Sequence, residues 1–277
     1  MSAPGSIDAF HPIARAIPGW FDDNDARLFS IVAAAQATCG IRGDILEIGA
    51  FMGRSAAWLA TLVEPPEQLV ISDLFQYAEN TKESVAWRTW GASPKPTRRQ
   101  FETNLLRFHH RLPEIYEGPS RALTPERLGG RRFRIVHIDG AHDYENVRSD
   151  LELSRAVACE GAVIALDDVT HPLFPGVAAA VWPLIADGTL RPIVFAKKLY
   201  ATWGASGPVT EAVADLVQRD PHLSARSCVV TDLEALVVTG SPPSSHSPKD
   251  VARDWVPPAL YRAAAGARRR IRAARSR

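Results

Sequence analysis

Apolar runs of strand length recur along this chain and alternate with stretches of helical periodicity, which restricts the fold more than any other feature. Residues 44–48, 69–72, 133–138 and 161–166 read as strands, and 54–63, 97–109, 144–157 and 177–186 as helices. A weaker strand at 115–116 precedes Gly118, and residues 192–196 and 199–203 are expected to pair as a terminal antiparallel hairpin. Strand–helix alternation of this kind predicts a mostly parallel sheet with helices on both faces. Ligands of such sheets sit beyond the carboxyl ends of the strands, so the residues that close each strand carry the functional signal.

Around this block the chain is less regular. Residues 1–18 read as irregular, and Asp22 or Asp23 then caps a helix that runs to about Thr38. The expected organisation is an N-terminal helical cap over 1–40, a main domain over 41–240, and a linker with a basic tail over 241–277. A late helix near 209–218 and a strand near 233–238 are weaker signals. The tail carries seven arginines and no acid between Leu260 and Arg277, so the remainder is net acidic although the whole chain is +1. That balance argues against nucleic acid as the default partner, while the tail itself suits an anionic one. Cys39, Cys159 and Cys228 stand singly, which fits a reducing cytoplasm. No apolar run approaches the roughly 20 residues needed for a membrane span. Residues 76–96 are polar and aromatic, with Tyr77, Trp87 and Trp90, and read as an insertion or lid. Trp20 reads as a packing anchor, His171 as a loop residue, and Lys197 and Lys198 as solvated residues of the hairpin.

The strand at 44–48 runs into Gly49-Ala-Phe-Met-Gly53-Arg-Ser55. Glycine permits positive φ and lets a ligand approach the backbone. The spacing differs from the Gly-x-Gly-x-x-Gly of dinucleotide enzymes and lacks the Lys-Ser/Thr of a P-loop. Asp73, 26 residues after Glu47, closes the next strand, where a carboxylate can accept ribose hydroxyls. Glu47-x-Gly49-x-x-x-Gly53-x-Ser55 followed by Asp73 resembles the first motifs of class I S-adenosylmethionine-dependent methyltransferases. The resemblance spans residues 45–203. It implies a Rossmann-like, seven-stranded α/β sheet with one antiparallel strand, and S-adenosylmethionine as cofactor. Glu47, Gly49, Gly53 and Ser55 would form the turn around the methionine part, Asp73 would hold the ribose, and Ser120 would lie near the adenine.

A second constellation is acidic. Asp139 closes the strand at 133–138, and Asp167 and Asp168 close the strand at 161–166, 28 and 29 residues later. Three carboxylates at neighbouring strand ends repel unless a cation, a proton or an arginine intervenes. The pattern resembles the branch of metal-dependent sugar and small-molecule O-methyltransferases. It implies Mg²⁺ or another divalent cation on Asp139, Asp167 and Asp168, holding an acceptor hydroxyl near the methyl sulfonium. His142, three residues after Asp139, is the expected general base, with Asp139 beside it. The acceptor is expected to be a sugar or small metabolite. A metal-dependent hydrolase or hydroxylase-like enzyme and a non-catalytic nucleoside-binding protein are the alternatives, and a homo-oligomer stays open.

Overall fold

In a computed structural model the structure describes residues 7–75, 97–204 and 207–240. The expected insertion or lid at 76–96, with Tyr77, Trp87 and Trp90, and the linker and arginine tail lie outside them. The strands are β1 (Asp44–Ile48), β2 (Leu69–Asp73), β3 (Glu114–Glu117), β4 (Phe133–Ile138), β5 (Ala158–Asp167), β6 (Leu190–Phe195), β7 (Lys198–Trp203), β8 (Leu223–Val230) and β9 (Leu233–Gly240). They form one sheet in the order β3-β2-β1-β4-β5-β7-β6-β9-β8. β1 to β5 pair in parallel, and β7 runs antiparallel to both β5 and β6. The seven strands β1 to β7 are the expected Rossmann-like unit. The β6–β7 hairpin is not its end, because β9 continues the sheet parallel to β6 and β8 closes it antiparallel to β9.

The helices are α1 (Ile7–Ala16), α2 (Asp23–Thr38), α3 (Arg54–Leu59), α4 (Arg98–Leu105), α5 (Tyr144–Val157), α6 (Pro175–Ala186) and α7 (Pro208–Arg219). Alternation along the strands sends Ile45, Ile71, Ile135 and Val163 to a core with α1 to α4 and α7, and Leu46, Val70, Val136 and Ile164 to a core with α5 and α6. Residues at the ends of the strands inherit these faces. Glu47, His137 and Tyr200 lie on the α2 side, where the Phe29 ring stands 5.1 Å from His137 and 5.4 Å from Tyr200.

Residues 7–16 are helical rather than irregular. Pro12 inside α1 hides the helical signal, but Phe10 and Ile13 are buried on one side, with the Phe10 ring 5.5 Å from Trp58 and 5.6 Å from Phe21. Tertiary burial outweighs the local penalty. Asp22 caps α2, accepting from Asn24 N and Asp25 N, while Asp25 reaches back to Asp22 N.

At the edge of the sheet opposite the strand ends just discussed, Arg134 and Glu67 form a buried pair with side chains 4% and 5% exposed. Arg134 Nε and Nη2 donate to Glu67 at 3.0 and 2.9 Å, and Nη1 donates to Gln36 Oε1 at 3.1 Å. Removing one partner strands a desolvated charge. Glu67→Ala is expected to lose about 3–5 kcal/mol in urea unfolding while leaving cofactor affinity unchanged in calorimetry.

Candidate active site

The chain runs from β1 through β2 to β3 in one direction and from β4 to β5 in the other, so the order reverses between β1 and β4. The ends of these two strands touch. Asp139 N donates to Ile48 O at 2.8 Å, and Gly49 N donates to Ser72 O at 2.8 Å. Gly49 has φ +86, and a Cβ placed on it would lie 2.1 Å from Asp139 O. Gly53 has φ +90, and its Cβ would meet Leu105 and Phe101 of α4 at 2.8 and 3.0 Å. Both glycines are therefore required by the packing of the turn itself, before any ligand is considered.

Asp73 locks the same turn. Its Oδ2 accepts from Ala50 N at 2.6 Å and Phe51 N at 2.9 Å, and its Oδ1 accepts from Phe75 N at 2.7 Å. A carboxylate has about four accepting positions, so three are spent on the chain's own amides and capacity remains for a ribose hydroxyl. Burial raises the Asp73 pKa in spite of these three donors. Glu47 lies beneath the turn, fully buried, with Oε1 2.9 Å from His137 Nδ1. Burial pushes Glu47 up to about 8 and His137 well below its usual value, so the two share a proton as a neutral pair. Ser55 is buried beside Glu47 and favours its ionised form. Ser120 opens a short 3₁₀ turn after β3 and lies beside Asp150 of α5, whose carboxyl burial raises to about 7. The turn and Asp73 fit a nucleoside cofactor. Glu47 fits it only from beneath, through the turn.

The acidic cluster forms, but its counter-cations come from the chain. Asp167 and Lys198 are directly opposed in the antiparallel β5–β7 register. Lys198 Nζ lies 2.9 Å from Asp167 Oδ2 and 3.2 Å from Asp139 Oδ2, and the lysine side chain is 1% exposed. Lys198 is therefore not a solvated hairpin residue. β7 starts where β5 ends, so its first side chain is laid across the site. Burial works against the charge on Lys198, but Asp139 and Asp167 outweigh it and raise its pKa well above the usual. Burial likewise opposes the Asp167 charge, and Lys198 and Lys197 outweigh it, holding that carboxyl below the usual range. Asp139 is pushed up to about 8 by burial and by Asp167. Lys197, also expected in solvent, lies 3.5 Å from the buried carboxylate of Asp25 and donates to Trp20 O.

The third acid has its own partner. Asp168 sits in the left-handed region at φ +57, a conformation that Asp tolerates better than most residues. Its Oδ2 is 3.0 Å from His142 Nε2, which is 3.9 Å from Asp139 Oδ1. Burial opposes a charge on His142, but the Asp168 hydrogen bond and the Asp139 charge prevail and raise its pKa. The Phe174 ring stands 4.3 Å from His142 and 5.0 Å from His171 and fixes the imidazole plane from the β5–α6 loop. Among the described residues no group of three His, Cys, Asp or Glu side chains is arranged to hold a metal ion. The arrangement does not fit the expected divalent site on Asp139, Asp167 and Asp168, because Lys198 bridges two of the acids and His142 pairs with the third.

Trp20 is not a packing anchor. It is 50% exposed, its ring lies 5.3 Å from Phe51 in the glycine turn, and the neighbouring Phe21 takes the core position. Arg54 ties this segment to α3 by donating to Ile17 O at 2.6 Å and Phe21 O at 3.2 Å. Lys198 had one sequence signal, its place at the start of a strand predicted to turn back along the sheet. Trp20 and Phe51 had none.

A nucleoside-compatible turn at β1–β2 and an acid–base cluster at β4–β5, on either side of the point where strand order reverses, define an α/β enzyme with two half-sites. A family model described as a methyltransferase domain matches residues 46–169, which contain both half-sites. Residues 46–169 are thus a methyltransferase domain, and the protein is an S-adenosylmethionine-dependent methyltransferase. No curated protein matches it. Among solved structures it is similar to the O-methyltransferase NovP, at 15% identity over 68% of this chain and 84% of that one, with a TM-score of 0.55. It is also similar to the calicheamicin methyltransferase CalS11, at 18% identity, 74% and 95% coverage and a TM-score of 0.47. An O-methyltransferase from Bacillus cereus in complex with SAH matches at 17% identity, 83% and 88% coverage and a TM-score of 0.38. The likeness to NovP shows a shared fold. Among the described residues no helix is long and apolar enough to cross a membrane.

Proposed function

We propose that this methyltransferase transfers the methyl group to a hydroxyl of a small molecule, a sugar or a comparable metabolite. The observation that carries the reading is the acid–imidazole group Asp139–His142–Asp168 beside the cofactor turn, with the Asp139 side chain 30% and the His142 side chain 25% exposed. Gly49, Gly53, Ser55 and Asp73 would hold the cofactor, with Glu47 supporting the turn and Ser120 near the adenine. In the reaction the acceptor oxygen forms the O–CH₃ bond as the S–CH₃ bond breaks. The sulfonium becomes the neutral thioether of S-adenosylhomocysteine, and the hydroxyl proton passes to the protein.

Asp139 is the better acceptor of that proton. His142 Nε2 is engaged by Asp168 at 3.0 Å, whereas the Asp139 carboxyl has been raised to about 8, close to working pH. This moves the base role expected of His142 to its neighbour and leaves His142 to position it. Orientation beside the sulfonium supplies the rest of the rate. Metal assistance is not part of this reading, since Lys198 and His142 already compensate the carboxylates. The name of NovP, an O-methyltransferase, agrees with hydroxyl transfer.

The test is S-adenosylhomocysteine formation across a panel of nucleotide sugars, glycosides and phenols, with product connectivity read by NMR. Asp139→Asn is expected to lower turnover by at least about 10²-fold at unchanged S-adenosylmethionine affinity. A product methylated on nitrogen or carbon, or an Asp139→Asn enzyme with full turnover, would remove the proposal.

A further inference from the structure

A cationic side chain of the protein already lies among the three acids. Lys198 Nζ takes the position between Asp139 and Asp167, at 3.2 and 2.9 Å, where the two carboxylates would otherwise converge on an ion. The geometry points to Lys198 as the resident cation of the acidic cluster, a positioning residue that substitutes for a divalent metal and holds Asp139 toward the acceptor. This inference deepens the hydroxyl-transfer reading above and rests on it.

Three observations support it independently of any titration. First, the placement is dictated by the sheet, because Asp167 and Lys198 are register partners and Ala196 N bonds to Lys198 O across the tight β6–β7 turn at 2.9 Å. Second, the ammonium has nowhere else to go. It is 1% exposed, and the carboxylate of Asp25 is engaged by Lys197 at 3.5 Å and by the Asp22 backbone N–H at 3.0 Å. Third, every acid of the cluster has a basic side chain of the chain beside it: Asp139 and Asp167 share Lys198, and Asp168 lies 3.0 Å from His142.

A divalent ion on Asp139 and Asp167 would have to displace the ammonium or bind beside it. Displacement leaves a buried charge without a partner, and breaking such a pair weakens the apparent metal affinity by roughly 100-fold or more. Binding beside it places two cations a few ångströms apart. An enzyme built this way keeps the electrostatic benefit of a cation without recruiting one from solution.

The experiment titrates the full-length protein with MgCl₂ and with MnCl₂ by calorimetry and by thermal shift, with S-adenosylmethionine binding measured in parallel. The wild type is expected to show no saturable binding and no metal-dependent rise in Tm up to millimolar concentrations. Lys198→Met, which removes the charge and keeps most of the bulk, is expected to gain both. Lys198→Arg is expected to behave as the wild type. Saturable metal binding by the wild type that is lost in Asp167→Asn would overturn the inference, as would a Lys198→Met protein that binds S-adenosylmethionine and still ignores both metals. Should Lys198→Met fail to fold, the wild-type titration with its Asp167→Asn control decides alone. Failure of the hydroxyl-transfer reading would show separately, as an acceptor methylated elsewhere than on oxygen.

Discussion

Gly49→Ala is expected to be the most damaging single methyl group that can be added to this protein. The added Cβ would sit 2.1 Å from Asp139 O and 2.5 Å from Asp139 C, neither of which is a flexible side-chain end. The residue would also have to hold φ +86, a conformation costing an L-residue about 1–2 kcal/mol by itself. The only relief is to part β1 from β4, which breaks the Asp139 N to Ile48 O bond and moves the two half-sites away from each other. A loss on the order of 4 kcal/mol or more follows, seen as a fall in Tm of about 10 °C for a chain of this size. Affinity for S-adenosylhomocysteine should fall at least about 100-fold, since a turn that has moved no longer presents its backbone. The control is one residue beyond Asp139. A Cβ on Gly140 would meet nothing closer than Ile48 Cγ2 at 3.4 Å, so Gly140→Ala should cost less than about 1 kcal/mol. Equal effects at the two positions would refute the packing argument.

Asp73→Ala should separate into two measurable losses. The carboxylate binds three backbone amides, Ala50 N, Phe51 N and Phe75 N. Leaving them without an acceptor costs roughly 3 kcal/mol in total, because water reaches part of the vacated space. The proposed ribose contact would add its own deficit, a charge-assisted bond of about 1.5–3 kcal/mol, or at least a tenfold rise in cofactor Kd. Asp73→Asn divides the two. Its amide oxygen can still accept from Ala50 and Phe51, while its NH₂ would face the Phe75 N–H. Its stability should lie between wild type and Asp73→Ala, with most of the cofactor affinity lost. Calorimetry against urea denaturation checks this, and a destabilised Asp73→Ala that binds cofactor normally would mean that Asp73 serves the turn alone.

Strand ends were readable in the sequence because their periodicity is local. The apolar runs mark β1, β2, β4 and β5 to within a residue or two at the site-proximal ends, and the acids that close them lie together at one edge of the sheet. The mostly parallel sheet followed from the same alternation, and the seven-stranded Rossmann-like unit from the family resemblance. The cluster's electrostatics were not readable. A lysine in a hairpin reads as solvated because burial of an ammonium is so costly that only its partners can justify it, and those partners are 31 and 59 residues away. The metal expectation and the reading of Lys198 as solvated arose from the same gap. The sequence showed three negative charges needing a cation, and the cation was in plain view at a position assigned elsewhere. Residues 7–16 were missed for the opposite reason. Pro12 is a strong local signal against a helix, and only the contacts of Phe10 with Trp58 and Phe21 reverse it. The β8–β9 hairpin extends the sheet through a single parallel pairing with β6, a long-range choice with no local marker.

The two-residue turn Ala196-Lys197 between β6 and β7 carries a consequence for how such a chain can change over evolutionary time. Side chains on a strand alternate faces, so inserting or deleting one residue there would rotate β7 by half a repeat. Leu199 or Lys197 would then stand opposite Asp167, and Tyr200 would leave the face it shares with His137 and Phe29. A leucine in that place removes the ammonium, whereas Lys197 restores it at the expense of Asp25. Length in this turn is thus as restrictive as identity at an active-site position, although neither of its residues touches the chemistry. Two lysines in succession give the lineage one direction of slippage in which the charge survives.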